Sequence, residues 1–374
     1  MKICLIGPSY PFRGGIAHHT TLLYRNLRKK HDVTFYAFKR QYPRWMFPGR
    51  TDVDKSVTVI NEEGIEKILD SLNPLSWWNV FRRIKKVNPD LVIFPWWVSF
   101  WTLQFGTIAS LVRRYTKAKV LFICHNVIAH ESRVMDGLFT KLVLNRGDYF
   151  IVHSNEDLKN LKSALPNANV KKTFHPTYDV FHFRNISKEY AQRRLNVDGN
   201  ILLFFGFVRP YKGLRYLIEA LPLILERLDV TLLVVGEFWE NKEHYIRIIK
   251  RLGIIDKIKI VDEYVPNEDV GIYFAASDIV VLPYVSGTGS GIVQIAFAFN
   301  KPVVATNVGC LPEVIEDGKT GYLVSPGSAA EIANVIVKFF QSKKDEAFRE
   351  NVKKENFRFS WDFLVGAIEE LAFS

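Results

Sequence analysis

Residues 278–314 constrain the fold of this chain most, because apolar and small-residue segments alternate along them in a definite order. The pattern predicts a buried strand, a loop of Ser, Gly and Thr, a helix that ends before Pro302, and a second apolar strand. A loop without bulky side chains lets a diphosphate approach the backbone, and the helix behind it offers unpaired N–H groups and a partial positive charge. We therefore predict an anion-binding loop, the alternative being that its glycines only form a tight turn. The loop residues concerned are Thr288, Gly289, Ser290 and Gly291.

Strands and helices alternate in the same way along the rest of the 374 residues. Residues 2–8 predict a strand, residues 15–30 a helix with one apolar face, and residues 32–38 the next strand. Because repeated βαβ units form parallel sheets with helices on both faces, we expect an α/β protein. The length suits two domains, and the pattern restarts after residue 180.

A second candidate phosphate site follows the first strand of the second domain. Arg209 and Lys212 lie in a loop between Gly206 and Gly213, just before a predicted helix. Two fixed cations stabilise the negative charge that grows on a leaving diphosphate. The alternative is that both are surface charges in a turn that contains proline.

The first domain carries weaker signals. Gly14 and Gly15 precede its first helix and repeat the phosphate-loop pattern, and a strand predicted from Lys119 ends in His125 and Asn126. The carboxyl end of a parallel strand faces the ligand crevice of an open α/β sheet, so His125 is a candidate ligand-binding residue. A lone histidine more often has a structural role. The chain contains no G-x-G-x-x-G motif, so a nicotinamide cofactor is not indicated.

The pattern in residues 278–323 resembles the donor-binding core of retaining nucleotide-sugar glycosyltransferases of family four. The matching residues are Gly291, Lys301, Pro302, Val303, Val304, Ala305, Gly309, Pro312 and Glu313. Two positions depart from the family pattern, because Thr288 and Ala296 stand where the family has glutamates that bind sugar and ribose hydroxyls. We expect Gln294, one helical turn inside the loop, to supply a replacement hydrogen bond.

The resemblance implies the GT-B fold, in which two Rossmann-like doubly wound parallel-sheet domains face a cleft. It implies an acceptor-binding domain at residues 1–180, a donor-binding domain at residues 181–355 and a helix at residues 356–374 that returns to the first domain. It also implies transfer of a hexose-type sugar from a nucleotide diphosphate sugar to a glycan or lipid-linked acceptor, with retention of configuration. The residues it assigns to catalysis are His125, Arg209 and Lys212. The residues it assigns to the donor are Gly14, Gly15, Gly206, Thr288, Gly289, Ser290, Gly291 and Gln294, with Glu237, Tyr264 and Val265 at the nucleotide.

Charged and aromatic residues indicate which kind of partner the first domain binds. Residues 1–180 contain 27 Lys and Arg against 14 Asp and Glu, which favours an anionic partner. Residues 77–86 interleave tryptophans with four basic residues, which predicts peripheral association with an anionic membrane. A helix that packs its aromatic residues on the sheet and leaves its charges in water explains the pattern equally well. The uncharged run at residues 91–112 is interrupted by Pro95 and polar residues, so a strand and a core helix are expected there and not a membrane span.

Several other classes are disfavoured. The N-terminal apolar run is too short for a signal peptide, and the three cysteines are widely spaced. We therefore expect a cytoplasmic protein without disulfides, either free or bound at the inner face of the cell membrane. The one D-x-D motif, at Asp52 and Asp54, does not follow an apolar strand, so we expect neither a metal nor a cofactor besides the nucleotide sugar as co-substrate. Nucleic acid is not an expected partner, since no such motif is present. A non-catalytic GT-B module that binds nucleotide sugar or glycan remains the alternative function.

Overall fold

A computed structural model describes residues 1–46, 49–56, 60–127, 134–182 and 184–373. The chain divides into two compact units. Unit 1 comprises Met1–His175 together with the C-terminal segment from Ser360, and unit 2 comprises Pro176–Phe359. Each unit is an α/β fold built on a parallel sheet, so the predicted fold class is confirmed for both units.

Unit 1 contains a seven-stranded sheet in the part of the chain that is described. Its strands are β1 (Lys2–Gly7), β2 (Asp32–Arg40), β3 (Ile65–Asp70), β4 (Leu91–Trp96), β5 (Lys119–Cys124), β6 (Tyr149–Val152) and β7 (Asn169–Lys172). Its helices before residue 175 are α1 (Gly15–Leu27), α2 (Pro74–Val87), α3 (Thr102–Tyr115), α4 (Val134–Leu144) and α5 (Asn155–Ala164). The strand order is β3-β2-β1-β4-β5-β6-β7, and every pair is parallel.

Unit 2 contains a six-stranded parallel sheet, again within the described residues. Its strands are β8 (Asn200–Phe205), β9 (Val230–Val235), β10 (Ile258–Val261), β11 (Ile279–Leu282), β12 (Val303–Thr306) and β13 (Gly321–Val324). Its helices are α6 (Lys188–Leu195), α7 (Leu214–Leu225), α8 (Lys242–Leu252), α9 (Asn267–Ala276), α10 (Gly291–Ala298), α11 (Leu311–Val314), α12 (Ala329–Gln341) and α13 (Asp345–Glu355). The strand order is β10-β9-β8-β11-β12-β13.

Both faces of each sheet are buried, which is why the strands read as continuous apolar runs. In β1, Ile3 and Leu5 pack on one face of the sheet while Cys4 and Ile6 pack on the other. The last helix, α14 (Trp361–Phe373), belongs to unit 1 and packs its apolar side on the face that also receives α1. A contact of 2.9 Å between His31 Nε2 and a Glu369 carboxylate oxygen also joins α14 to this unit.

The uncharged run at residues 91–112 divides into β4, a short turn and α3, as the interrupting proline and polar residues predict. Within the described ranges, we find no helix that has both the length and the apolar character needed to cross a bilayer.

Candidate active site

The carboxyl ends of β8 and β11 meet where the strand order of unit 2 changes direction. β8 pairs with β9 on one side and with β11 on the other, where Leu202 lies opposite Ile279. Because right-handed connections from β8 and β11 lead to opposite faces of the sheet, a crevice forms between the loops that follow them. The loop after β8 carries Arg209 and Lys212, and the loop after β11 leads into α10, so both predicted phosphate segments of unit 2 lie at this crevice.

Two glycines let these loops approach each other. Gly206 has a φ of 103°, and a Cβ there would lie 2.9 Å from Lys212 Nζ. Gly213 has a φ of 67°, and a Cβ there would lie 1.9 Å from the carbonyl oxygen of Pro283, at the end of β11. A side chain at either position would be strained and would displace a neighbour. These glycines therefore hold Lys212 against the end of β11.

Lys212 is a buried cation. Its side chain is 7% exposed, and its Nζ lies 5.8 Å from the ring centroid of Tyr284. Burial, together with the nearby positive charge of Arg209, lowers the pKa of Lys212 from 10.5 to about 8. Among the described residues, none accepts a hydrogen bond from the Lys212 ammonium or forms an ion pair with it. A buried charge without a partner is costly, so the site favours an anionic ligand that compensates it.

Arg209 lies beside an aromatic cluster that the sequence did not indicate. Its guanidinium carbon lies 5.5 Å from the ring centroid of Tyr211 and 5.5 Å from that of Trp239. Phe207 stacks on Trp239 with centroids 4.1 Å apart and on Tyr264 with centroids 5.9 Å apart. These four aromatic residues come from the loops after β8, β9 and β10, which are far apart in sequence, so no local motif could have connected them. Together they keep the guanidinium at the crevice.

The start of α10 provides the second half of the phosphate site. Ser290 is its N-cap, and its Oγ accepts a hydrogen bond of 3.2 Å from the Ile292 N–H. The Tyr284 hydroxyl lies 3.0 Å from the same Oγ. Within the described residues, the N–H groups of Gly291 and Val293 have no acceptor, which is the arrangement that binds anions at helix starts.

The loop before α10 is held in place by the segment after β12. The Cys310 N–H donates to the carbonyl oxygen of Thr288 at 2.8 Å. Gly309 has a φ of 53°, and a Cβ there would lie 2.0 Å from the carbonyl oxygen of Gly287. Only glycine at position 309 permits this contact, so the close approach of the two segments depends on a residue without a side chain there. Gly289 belongs to the same contact, since a Cβ there would lie 3.2 Å from Cys310 Sγ.

The two positions that depart from the family pattern are both buried. Thr288 is 5% exposed and Ala296 is fully buried in the interior of α10. Gln294 is 1% exposed, and its Oε1 has no hydrogen-bond donor among the described residues. An unsatisfied buried carbonyl is uncommon, so Gln294 retains hydrogen-bonding capacity for a further group.

The predicted nucleotide residues lie in the loops after β9 and β10. Glu237 is 2% exposed, and its carbonyl oxygen accepts a hydrogen bond of 3.0 Å from the Val208 N–H. Val265 is buried, while Tyr264 belongs to the aromatic cluster beside Arg209. All three residues thus lie at the carboxyl edge of the same sheet as Lys212.

Two predicted site residues of unit 1 lie at the start of α1. Gly14 is the N-cap of α1 with a φ of 109°, and Gly15 is its first residue. No side chain caps this helix start, and a Cβ at Gly14 would meet no atom within 4 Å. The backbone at Gly14 is therefore not crowded by neighbouring side chains.

From the sequence, His125 is considered as a single histidine, but the structure places three other histidine rings beside it. It follows β5, and its ring centroid lies 4.5 Å from that of His19, 5.2 Å from that of His153 and 5.8 Å from that of His175. Burial, together with His153 and His175 nearby, holds the pKa of His125 well below its usual range. Its imidazole is therefore neutral at pH 7, so the cationic groups of the candidate sites are Arg209 and Lys212. A partial signal was present in the sequence, because His125 and His153 each stand directly after an apolar run, at residues 120–124 and 149–152.

Among the residues that the structure describes, no cluster of carboxylates forms around the D-x-D motif. Asp54 is buried and accepts hydrogen bonds from Ser56, and its Oδ2 lies 3.4 Å from His18 Nε2. Burial raises the pKa of Asp54, but the hydrogen bonds from His18 and Ser56 outweigh it, and the pKa lies below its ordinary value. The carboxylate is thus engaged within unit 1.

Two protein-family models match this chain. The model for Glycosyl transferases group 1 matches residues 185–355, and the model for Glycosyltransferase Family 4 matches residues 13–172.

Curated relatives include D-inositol 3-phosphate glycosyltransferases. The protein from Corynebacterium glutamicum is 24% identical over 319 residues, which are 78% of this chain and 73% of the relative. The protein from Corynebacterium diphtheriae is 34% identical over 271 residues, which are 65% of this chain and 61% of the relative. The protein from Pseudarthrobacter chlorophenolicus is 30% identical over 214 residues, which are 55% of this chain and 48% of the relative. For the last two, the chain spans between about half and two thirds of the relative's length.

Solved structures share the fold. Anabaena HepE in complex with UDP and glucose superposes with a TM-score of 0.75 at 18% identity, over 99% of this chain and 98% of that one. Sucrose-phosphate synthase from Thermosynechococcus elongatus superposes with a TM-score of 0.73 at 17% identity, over 99% and 98% of the two chains.

Proposed function

This chain belongs to the glycosyltransferases, and we propose that it moves a hexose-type sugar from a nucleotide diphosphate sugar to a glycan or lipid-linked acceptor, with retention of configuration. The observation that carries this proposal is Lys212, a buried cation with no acceptor among the described residues, beside Arg209 at the carboxyl ends of the central strands of unit 2. Retention and the hexose class follow from the family resemblance.

The diphosphate is proposed to bind between the loop after β8 and the start of α10. Lys212 and Arg209 supply two positive charges, and the N–H groups of Gly291 and Val293 supply hydrogen-bond donors. As the bond between the sugar and the diphosphate breaks, negative charge grows on the leaving group, and fixed donors stabilise it without reorganisation. Two cations and a helix start supply this charge without a metal ion on the diphosphate, so we propose metal-independent transfer.

The nucleoside is proposed to bind at the loops after β9 and β10. The aromatic cluster of Phe207, Trp239 and Tyr264 offers apolar ring surface beside Arg209. Backbone and side-chain groups at Glu237 and Val265 border the same edge of the sheet. UDP is the first nucleotide to test, because Anabaena HepE, which has the same fold, was crystallised with it.

The acceptor is proposed to bind unit 1, whose excess of Lys and Arg favours an anionic molecule. The curated relatives are named for transfer to an inositol phosphate, which is also anionic. His125 is proposed to form a hydrogen bond with a hydroxyl or phosphate oxygen of the donor as a neutral imidazole.

The polar side of α2 supports association of unit 1 with an anionic membrane. Trp77 is buried and donates a hydrogen bond of 2.8 Å to the Asp70 carbonyl, so this tryptophan belongs to the core. Leu75 and Trp78 are 78% and 50% exposed and lie on the same side of the helix as Arg82 and Lys85. A groove of about 570 Å³ there is lined by Trp78, Phe81, Arg82, Lys85 and Tyr115. Exposed apolar residues followed by basic residues are typical of helices that lie in a lipid headgroup layer.

A binding and turnover experiment tests the transfer function. We would measure the thermal shift with UDP, GDP, ADP and their sugar conjugates, with and without EDTA, and then the release of nucleotide from the conjugate that binds. The variant Arg209→Ala/Lys212→Ala should lose the shift. The matched charge control, Arg227→Ala/Lys250→Ala, removes one exposed Arg and one exposed Lys of unit 2 and should keep it.

Each outcome of this experiment is informative. A shift with one nucleotide that persists in EDTA, with nucleotide release, supports metal-independent transfer. A shift without release from any conjugate, at any acceptor tested, would favour the non-catalytic binding module. Equal shifts in the double variant and the charge control would remove Arg209 and Lys212 from the donor site.

A further inference from the structure

Unit 1 contains a cluster of histidines at one edge of its sheet. His125 follows β5 and His153 follows β6, and these strands pair so that Cys124 lies opposite Val152. The two histidines are therefore neighbours in the sheet register. His19, from α1, lies across from both, with its ring centroid 4.5 Å from that of His125 and 5.9 Å from that of His153.

The ring nitrogens of these histidines face one another. One nitrogen from each of His19, His125 and His153 lies within 4.8 Å of one from each of the other two. The Nε2 atoms of all three are buried and have no hydrogen-bond partner among the described residues. Three unsatisfied polar atoms in one place indicate a missing common partner, because buried polar groups in native proteins are normally satisfied.

The hydrogen bond at His153 determines which of its nitrogens is available. Its Nδ1 lies 3.1 Å from the carbonyl oxygen of Thr173, which can only accept, so Nδ1 carries the proton. The buried Nε2 atom then keeps its lone pair, which is available to a ligand. A histidine that donates one ring N–H to a backbone carbonyl and presents the other nitrogen is the usual arrangement of a metal ligand.

We propose that His19, His125 and His153 form a binding site for a divalent transition-metal ion such as Zn²⁺. Three neutral imidazoles match the ligand preference of Zn²⁺, Co²⁺, Ni²⁺ and Cu²⁺, whereas Mg²⁺ and Ca²⁺ require oxygen ligands. With Zn–N distances of about 2.0–2.1 Å, tetrahedral geometry sets nitrogens about 3.4 Å apart, so the rings close in by at most about 1.4 Å from their separation here. The fourth position is taken by a water molecule or by His175, whose ring centroid lies 4.8 Å from that of His19.

The proposed metal site lies in unit 1, whereas the metal-independent chemistry at the diphosphate is proposed for unit 2. It shares one residue with the proposed function, since His125 is also assigned to the donor. If both assignments hold, metal and donor compete for the same imidazole. Zn²⁺ then inhibits transfer, and EDTA relieves the inhibition. Only this consequence rests on the proposed function; metal binding itself does not.

The test is a titration of the metal-free protein with Co²⁺, followed by visible absorption spectroscopy, and with Zn²⁺, followed by isothermal titration calorimetry. We expect one equivalent of Co²⁺ to produce the intense visible absorption of a tetrahedral site, and Zn²⁺ to displace it. His153→Gln and His19→Gln should each weaken Zn²⁺ binding by about 100-fold or more. The control is His244→Gln, which removes an exposed histidine of unit 2 and should bind metal as wild type does.

Two results would overturn the proposal. The first is a wild-type Co²⁺ spectrum of the weak, octahedral aqueous type, which decides the matter even if a variant fails to fold. The second is unchanged Zn²⁺ affinity in a His153→Gln protein whose circular dichroism matches wild type. Metal binding without any transfer activity would leave this site established while refuting the proposed function, so the two failures are distinguishable.

Discussion

We expect Lys212 to stabilise the negative charge of the leaving diphosphate and, because it is buried, to lower the free energy of unfolding. Its pKa of about 8, against an ordinary value of 10.5, means that burial disfavours the charged form. A shift of this size corresponds to about 3 kcal/mol at pH 7, where the ammonium is still protonated. In Lys212→Met, which keeps the length of the side chain without its charge, we therefore expect higher stability, up to a few kcal/mol, and an unfolding midpoint raised by several degrees without ligand.

The same substitution should lower activity. Removal of one fixed positive group from a developing anion costs about 10²–10³ in kcat, so kcat/KM of Lys212→Met should fall by at least about 100-fold. Lys212→Arg keeps a charge and should retain more activity than Lys212→Met. The control is Lys250→Met, which changes an exposed lysine of the same unit and should alter neither the unfolding midpoint nor kcat/KM.

The pH dependence follows from the direction of the shift. Because kcat/KM reports the free enzyme, it should fall above about pH 8, where Lys212 loses its proton. In Lys212→Arg this alkaline decline should disappear, since a guanidinium stays protonated. The stability cost of Lys212 has the opposite course: it is full below about pH 8 and disappears as the pH rises towards 10.5.

The assays are release of nucleotide from the sugar donor at several pH values and thermal unfolding of each variant. A Lys212→Met protein that is both less stable than wild type and equally active would refute the assignment. It would show that the ammonium is satisfied within the protein and has no part in transfer.

Three further predictions concern other parts of the chain. Gly309→Ala should weaken donor binding and lower the unfolding midpoint, because its Cβ would lie 2.0 Å from the Gly287 carbonyl; Gly318→Ala is the control, with a φ of 74° but no atom within 4 Å, and equal effects of the two would refute the steric argument. Tyr264→Ala should raise the Kd for the nucleotide by about tenfold in calorimetry, through loss of aromatic surface, and an unchanged Kd would place the base elsewhere. Replacement of three of the four basic residues of α2, Arg82, Lys85 and Lys86, by Gln should weaken sedimentation with anionic vesicles by about 1 kcal/mol per charge. The control Arg227→Ala/Lys250→Ala, which removes exposed charges of unit 2, should bind as wild type, and equal binding by the α2 variant would refute the membrane surface.

The sequence predicted the class of fold and the segments that bear chemistry. The run of apolar strand, small-residue loop and helix at residues 278–314 became β11, the loop and α10. The long uncharged stretch after Leu91 became β4 and α3. Such features are local: the period of the apolar residues and the conformational freedom of glycine act over a few residues, so they can be read from a single chain.

Contacts between segments far apart in sequence were not predictable in this way. Phe207 and Trp239 stack although 32 positions separate them, and neither residue belongs to a recognisable motif. His125 looked like a lone histidine because His19 and His153 are brought to it by a helix and a neighbouring strand. From the sequence, residues 77–86 fitted a membrane-binding helix and a helix packed on the sheet equally well. The structure shows that Trp77 is buried in the core and Trp78 is exposed on the surface.

By itself, then, the sequence determined two α/β units, their strand and helix segments, and the residue types available at each loop. Only the tertiary structure decided that β8 lies between β9 and β11, that Lys212 is buried at that junction, and that three imidazoles share one edge of the other sheet. The physical reason is that strand order and burial depend on how whole sheets twist and pack. Local residue patterns determine which segments are strands, but the packing of distant segments determines which strands become neighbours and which charges lose their water.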